Sequence, residues 1–491
     1  MSMKLSKSKF CAGVQCLKRL YWQVHEPEFA AEPEAAAEAI IEQGREVGIL
    51  ARRLFPGGVE VCERNLDQAI LITRKLIANP EARAIFEGVF EYQNVLVRVD
   101  ILHRRRDGRW RLIEVKSTTD VRDHHLDDVA IQYRVVSRSG VDVASGCLAH
   151  VNRGYIHPGG EIDPRRFFRV RNLTRRVQRV QPKLVFQLRS EFTVLKMPDA
   201  PDLRPGQQCH NPVRCEFFER CNLPRPNDHI GFLPRINANA MEELEEMGVQ
   251  SVHDIPDDFE LTEVQRRAAT CVQTGEPWFD RDGLAEKLAT LRYPIAYLDV
   301  ETVNPAIPRF IGTHPYQQIP FQWSAHIQHR PGAEPLHFEF LASNASDPRH
   351  EFITSLFVAL PETGSIVVYN QQFESTRLDE LAAWLPEYAE RIRSIQSRLW
   401  DLLPVVRSSV YDPAFAGSYS LKSVLPALVP GMSYTNMAVG NGQDAGLAWK
   451  SLVHGKLDGA EHDRIRKALL AYCAQDTLAL VKLLERLRSA T

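Results

Sequence analysis

The stretch RYPIAYLDVETV (292–303) constrains the fold more than any other, because an apolar run of strand length is interrupted by Asp299 and Glu301, two positions apart. Alternate side chains of an extended chain share a face, so both carboxylates must point the same way. A buried strand tolerates this only where positive charge compensates, since an unpaired buried carboxylate is costly. Two later stretches bring further acids. GSIVVYNQQFESTRLDELAAWL (364–385) reads as strand, turn and helix with Glu374 near the helix start, and IRKALLAYCAQDTLALVKLLERL (465–487) reads as a long amphipathic helix with Tyr472 and Asp476 one turn apart. Converging, Asp299, Glu301, Glu374 and Asp476 would bind two divalent cations about 3.5 to 4 Å apart, with Tyr472 touching an attacking water. The bland alternative is a network of acids paired with arginines.

A second set of acids lies earlier. VLVRVDILHRRRDGRWRLIEVKSTT (95–119) reads as a β-hairpin, two apolar-rich strands flanking the Asp107-Gly108 turn signal. Counting outward from the turn sets Asp100 opposite Glu114 to within one residue, with Cβ atoms about 5 Å apart. Glu114 and Lys116 share a strand face. Two acids beside an ammonium suit a Mg²⁺ or Mn²⁺ ion held by carboxylates, with Lys116 orienting or polarising a hydrolytic water; surface ion pairs are the alternative.

Three of the nine cysteines, Cys209, Cys215 and Cys221, fall at intervals of six in PGQQCHNPVRCEFFERCN (205–222). An odd count in a reducing compartment argues against a disulfide framework and makes clustered thiols metal-ligand candidates. Zinc and free thiols stay open, although C-x₅-C gaps are wider than the usual zinc knuckle. Cys62, Cys147, Cys271 and Cys473 read as small buried residues.

Composition bounds the rest. With 491 residues, 44% hydrophobic and 25% charged, the chain is long enough for two or three packed domains. No signal-peptide-like or membrane-spanning apolar run is present, so the expected location is cytoplasmic, with no membrane partner. A formal net charge of −2 says nothing of nucleic acid, but PRRFFRVRNLTRRVQRVQPK (164–183) carries no carboxylate. Its Arg165, Arg166, Arg169, Arg171, Arg175 and Arg176 would neutralise phosphates, or form a merely solvated face. The expected architecture is α/β throughout, in three parts: 1–225 with the hairpin and cysteine loop, 226–290 as small linking helices, and 291–491 as alternating strands and helices.

These residues carry resemblances. Asp100 with Glu114-Val115-Lys116 resembles the PD-(D/E)XK (restriction-endonuclease-like) nucleases of RecB type, whose helical motif DDVAIQYRVV (127–136) would meet through Gln132 or Tyr133. The usual Gln-x-x-x-Tyr spacing is not kept, and Gly48 stands about where many relatives place a histidine. Iron-sulfur members of that family, AddB and the CRISPR-associated RecB-like exonucleases, have one cysteine before the nuclease core and three after it. QCLKRLYW (15–22) matches the first element through Cys16, so the resemblance implies a [4Fe-4S] cluster on Cys16, Cys209, Cys215 and Cys221, with Cys11 a rival for the first position. Closing so long a loop would contribute on the order of 4 to 5 kcal/mol.

LDVET, VVYNQQFE and YCAQD are similar to the three motifs of the DnaQ-like, RNase H-like DEDD exonucleases of the tyrosine branch, with Glu374 where the second motif normally ends in Asp. In such enzymes the region 400–426 contacts substrate, which points to Asp401 and Lys422; surface lysine is the alternative for Lys422. LEEMGVQSVHDIP (244–256) resembles a helix-hairpin-helix element, with spacer helices as the alternative. The pairing resembles an uncharacterised bacterial family joining a RecB-like half to a DnaQ-like half. It implies a metal-dependent nuclease acting on nucleic acid, DNA before RNA, with 3′-to-5′ polarity in the second half, in repair, CRISPR-type adaptation or defence. A catalytically degenerate binding scaffold and a redox-responsive regulator are the readings from other classes.

Overall fold

Asp107-Gly108 turns the chain as the sequence expects: Gly108 adopts φ +80°, a left-handed conformation that glycine takes without a steric cost. The computed structural model describes residues 3–32, 35–221, 228–435, 437–455 and 457–491. The chain is mixed α/β and divides into two compact units. Unit 1 is Met1–Pro224 with Pro305–Gln317, and unit 2 is Arg225–Asn304 with Gln318–Thr491.

Unit 1 is built on a seven-stranded sheet of β1 (Leu5–Ser6), β2 (Val59–Glu60), β3 (Ala84–Tyr92), β4 (Val95–Arg104), β5 (Trp110–Lys116), β6 (Val143–Val151) and β7 (Phe168–Asn172). The order is β2-β3-β4-β5-β6-β7, with β1 beside β4. β4 and β5 run antiparallel, β5 and β6 parallel, and β6 and β7 antiparallel. One sheet face packs Leu102, Leu112 and Leu148 against Val129, Val136, Val177 and Leu184 of helices Asp123–Arg138 and Thr174–Val194. The other face packs Ile101, Ile113 and Ala149 against Val47 and Ala51 of helix Ala35–Arg52, together with Ala306.

Pairing of β4 with β5 runs to Ile101–Ile113, which sets Asp100 and Glu114 opposite each other at the next position, as counted from the turn. Opposite Asp100 on the other side, Glu87 of β3 has φ +57° and falls between the paired residues Phe86 and Gly88. A non-glycine residue in that region marks local strain, and here it interrupts the ladder beside the acids.

Unit 2 has a five-stranded sheet in the order β11-β10-β9-β12-β13, with β9 (Ile295–Val303) at its centre, β10 (Ile319–Gln328), β11 (Leu336–Leu341), β12 (Ile366–Val368) and β13 (Leu399–Asp401). β10 is antiparallel to β9 and β11, whereas β12 is parallel to β9 and β13. The short strands β8 (Trp278–Phe279) and β14 (Val410–Tyr411) form a separate pair. Gly364, at φ +87°, leads into β12 where an added Cβ would lie 1.9 Å from the Pro294 carbonyl oxygen, so only glycine fits.

The segment expected to link two domains is part of this unit. Leu233, Val252, Ala268 and Cys271 join the core that holds Tyr297, Val406, Leu480 and Leu484, while Ile230, Leu244, Val249 and Phe259 form a smaller apolar cluster alongside. Among the described residues no helix is long and apolar enough to cross a membrane.

Candidate functional site

In unit 2, alternation along β9 puts Asp299 and Glu301 on one face, and helix Gly459–Arg488 crosses that face with Asp476. Ligand oxygens of Asp299, Glu301 and Asp476 lie within 4.8 Å of one another, and among the described residues this is the one such group of three His, Cys, Asp or Glu side chains. Glu374, in the first turn of helix Gln371–Trp384, is 4% exposed, and its Oε2 is buried without a hydrogen-bond partner among the described residues. The helix Gly442–His454 starts so close that a Cβ added at Gly442 would stand 3.1 Å from Glu301 Oε2.

The electrostatics follow from crowding acids in a buried pocket. Burial, then the charge of Asp476, pushes the Asp299 carboxyl up to about 8. Burial also raises Asp476, to about 6, where hydrogen bonds from the Tyr434 and Tyr472 hydroxyls and the charge of Lys422 hold it back. Glu301 and Glu374 are pushed well above the usual carboxylate range by burial and then by Asp299. The nearby cations do not balance this set. Lys422 donates to the Gly440 carbonyl and lies 5.5 and 5.6 Å over the Tyr434 and Tyr472 rings, and Arg377, which acts on Glu374, is paired with Glu380. Four hard-oxygen donors with surplus negative charge and an orphaned buried oxygen fit a divalent cation.

Asp401 acts on Glu374 through its charge while accepting hydrogen bonds from the backbone amides of Asn370, Gln371 and Leu403 at 2.9, 3.0 and 3.1 Å. It fixes the turn before the helix of Glu374. Cys473, expected to be simply buried, is buried and also donates to Asp299 Oδ2 at 3.4 Å. Tyr434 is a site residue that no local pattern singles out: its hydroxyl reaches Asp476 Oδ1 at 2.5 Å from a loop with no regular periodicity.

In unit 1, Glu114 is 1% exposed and accepts from three donors. Its Oε1 accepts from Lys7 Nζ at 2.7 Å and Lys116 Nζ at 3.0 Å, and its Oε2 from Gln132 Nε2 at 2.7 Å. Lys116 also pairs with Asp128. Asp100 Oδ2 accepts from the Val115 amide at 2.7 Å, in the place of a ladder bond. Burial works to raise Glu114, but the charges of Lys7 and Lys116 outweigh it and hold the carboxyl well below the usual range. Asp100 goes the other way, up to about 8, through burial and then the charge of Glu114. The paired carboxylates suit a hard cation, and Gln132 Oε1, buried and unbonded among the described residues, leaves an acceptor beside them.

Gln132 is thus the helical residue that meets the acids. Tyr133 turns away, its hydroxyl 3.4 Å from the Val143 carbonyl. Sequence reasoning missed Lys7 and Asp128. Asp128 had a signal, standing one turn before Gln132 on the same helix face; Lys7 had none, because strand pairing across the sheet puts it there.

The cysteine loop is sewn to the helices on either side of Cys16. Gln15 Nε2 donates to the Gln208 and Val213 carbonyls at 2.6 and 2.8 Å, and Arg19 Nε to Glu216 Oε2 at 2.9 Å. Burial pushes the Cys215 thiol up to about 11 and raises that of Cys221. Cys16 adds to both shifts and Cys209 to the second, so the four thiols share one neighbourhood. Tetrahedral zinc would draw sulfurs to about 3.8 Å of each other, from bonds of about 2.3 Å. Among the described residues no three thiols come within 4.8 Å of one another. Cys11, the rival ligand, donates instead to Asp128 Oδ1 at 3.2 Å.

Arg165, Arg166, Arg169, Arg171, Arg175 and Arg176 of the basic stripe are all exposed. Arg169 and Arg171 on β7 pair with His150 and Leu148 of β6, which in turn pair with Lys116 and Glu114 of β5. Residues paired across neighbouring strands point to one face, so these two arginines stand on the acid-bearing face, at the sheet edge. Arg165 and Arg166 lie in the short helix Pro164–Phe167; Arg175 and Arg176 open helix Thr174–Val194, and Arg176 reaches Asp123 at 3.2 Å. Gly48 has open space where a Cβ would stand.

The chain has two α/β units, each with a buried carboxylate cluster. A protein-family profile described as a domain of unknown function, DUF2779, matches residues 296–420, about a quarter of the chain, including Asp299, Glu301 and Glu374. The chain is similar to the uncharacterised protein UU173 of Ureaplasma parvum, 25% identical over 216 residues, which is 39% of this chain and 31% of that protein. It is also similar to the uncharacterised protein MG366 of Mycoplasma genitalium, 26% identical over 206 residues, covering 38% and 31%. The homologue of MG366 in Mycoplasma pneumoniae is 26% identical over 229 residues, covering 42% and 34%. The match spans about a third of the length of each of these curated relatives.

Proposed function

We propose that this chain is a divalent-metal-dependent nuclease with two phosphodiester-hydrolysing centres: a DnaQ-like exonuclease site in unit 2 and a RecB-like PD-(D/E)XK site in unit 1. The observation that carries the reading is the convergence of Asp299, Glu301 and Asp476, from a strand and a distant helix, within 4.8 Å. The central position of β9, with antiparallel neighbours to one side and parallel ones to the other, supports an RNase H-like unit 2. The Asp100, Glu114, Lys116 and Gln132 grouping supports a restriction-endonuclease-like unit 1.

Bound Mg²⁺ or Mn²⁺ would supply charge stabilisation of the phosphodiester and a water acidic enough to attack it. Asp299, Glu301, Glu374 and Asp476 would hold it in unit 2, Asp100 and Glu114 in unit 1. Tyr472 and Tyr434 orient Asp476, and Tyr472 would position an attacking water. Lys422, near both rings, would meet a substrate phosphate. Lys116 orients the water in unit 1. A [4Fe-4S] cluster on Cys16, Cys209, Cys215 and Cys221 would tie the first helices of unit 1 to its last loop and supply a redox-active iron-thiolate centre. Arg169 and Arg171 extend the acid-bearing face with phosphate-binding charge. DNA attacked from its ends, 3′ to 5′ in unit 2, is the substrate proposed. For unit 1 the saturation of Glu114 by three donors favours a second reading, a nucleic-acid-binding domain without catalysis.

Release of nucleotides from labelled single- and double-stranded DNA and RNA, with and without Mg²⁺ or Mn²⁺, tests the proposal. Loss of activity in Asp299→Ala assigns it to unit 2 and loss in Lys116→Ala to unit 1. Activity insensitive to both substitutions contradicts the nuclease reading.

A further inference from the structure

Lys7 is put in place by the sheet itself. Leu5 and Ser6 pair in parallel with Val95 and Leu96 of β4, the Leu5 amide donating to the Asn94 carbonyl at 2.8 Å. Ser6 then caps the next helix by accepting from the Lys9 amide at 3.3 Å, so Lys7 is the first residue of helix Lys7–Gln15. The strand that carries Asp100 thus also fixes the start of the helix that aims an ammonium at Glu114.

The two lysines on Glu114 are not equivalent. Lys116 divides itself between Glu114 and Asp128, whereas Lys7 pairs, among the described residues, with Glu114 alone. Its 2.7 Å contact is the shorter of the two on Oε1, and Gln132 takes Oε2. A carboxylate has about four acceptor positions. A cation approaching Glu114 therefore meets an oxygen already shared by two ammonium groups, one of which makes its direct ion pair with Glu114 while the charges of Asp128 and Asp100 also act on it.

We propose that Lys7 is a built-in counter-cation to Glu114 that holds this carboxylate in place while the site is empty and must be displaced for a divalent ion to bind in unit 1. The inference rests on the reading of Asp100 and Glu114 as metal ligands. Lys7 then acts as a positioning residue that sets the metal affinity of unit 1 and discriminates against ions too weakly charged to displace it.

The test is manganese binding to the full chain, read from the fall in free Mn²⁺ signal in electron paramagnetic resonance. Asp299→Ala with Asp476→Ala is the background, so that unit 2 does not contribute. Replacing Lys7 by Met is expected to tighten Mn²⁺ binding about tenfold or more, while Lys7→Arg, which keeps the charge, stays within about threefold of the background. Lys7→Gln serves as the second neutral variant if the Met variant does not fold, with the same expectation. Thermal unfolding gives a readout independent of affinity: the neutral variants should melt below the background without manganese, and the gap should close as the ion is added. Equal Mn²⁺ affinity with and without the Lys7 charge overturns this inference alone. No Mn²⁺ binding in any variant overturns the metal reading of unit 1 as well.

Discussion

The Tyr434 hydroxyl donates to Asp476 Oδ1 across 2.5 Å, from a loop to a helix that meet only in the folded chain. This bond helps keep Asp476 near 6 while Asp299, without such a donor from a tyrosine, is pushed to about 8. A carboxylate must lose its proton to hold a cation, so metal-dependent activity in unit 2 should rise as pH increases through this window. Tyr434→Phe removes a donor to the ionised form and should move the acid limb of the pH–rate profile upward by about one unit, the equivalent of one charge-assisted hydrogen bond. An unchanged limb would show that Asp476 does not govern it.

Glu191 is a buried acid remote from either carboxylate cluster. It is 0% exposed, accepts from Gln187 Nε2 at 2.9 Å, and its second oxygen is unbonded among the described residues. Burial pushes its carboxyl up to about 8 from the ordinary 4.5. Between those values the folded chain binds more protons than the unfolded one, so stability falls as pH rises from about 4.5 through 8 and is lowest above. Denaturant unfolding at pH 5 and 9 should show Glu191→Gln removing on the order of 3 kcal/mol of this pH dependence. Gly13 leaves room for this carboxyl: an added Cβ would lie 2.5 Å from Glu191 Oε1, so a side chain there would have to displace Glu191.

The cysteine site predicts a composition as well as a colour. Anaerobically purified protein should carry about four iron atoms and four sulfides per chain, with broad absorbance near 400 nm. Serine in place of Cys16, Cys209, Cys215 or Cys221 should each abolish the band and lower the unfolding temperature. Cys11→Ser and Cys62→Ser should leave it. Stoichiometric zinc without iron would instead assign a structural zinc site.

Arg169 and Arg171 line the edge of the acid-bearing sheet face in unit 1. Replacing both by Gln should weaken binding of DNA of any sequence and reduce the slope of log K against log salt by about 2, close to one per lost phosphate contact. If the slope is unchanged, the stripe is only a solvated face.

What the sequence reveals and what it hides have physical causes. The hairpin register was legible because Asp107-Gly108 fixes it, and period-two alternation put Asp299 beside Glu301 and Glu114 beside Lys116. Asp476 and Tyr472 were legible through helical spacing. Lys7 and Tyr434 were not, since each reaches its acid from an element whose position depends on tertiary pairing that no local pattern encodes. Residues 226–290 look like free-standing helices by periodicity, yet Val252, Ala268 and Cys271 complete the core of unit 2. Asp401 sits amid plausible substrate-contacting sequence, but its oxygens are occupied by three backbone amides.

The most direct measurement is nucleotide release from a 3′-labelled DNA strand by Asp299→Asn, compared with unsubstituted protein at saturating Mg²⁺ or Mn²⁺. The amide keeps the shape of the side chain but removes the charge that a cation needs, so the account predicts a loss of about a hundredfold or more with the unfolding temperature preserved or raised. Release at the unsubstituted rate would contradict it.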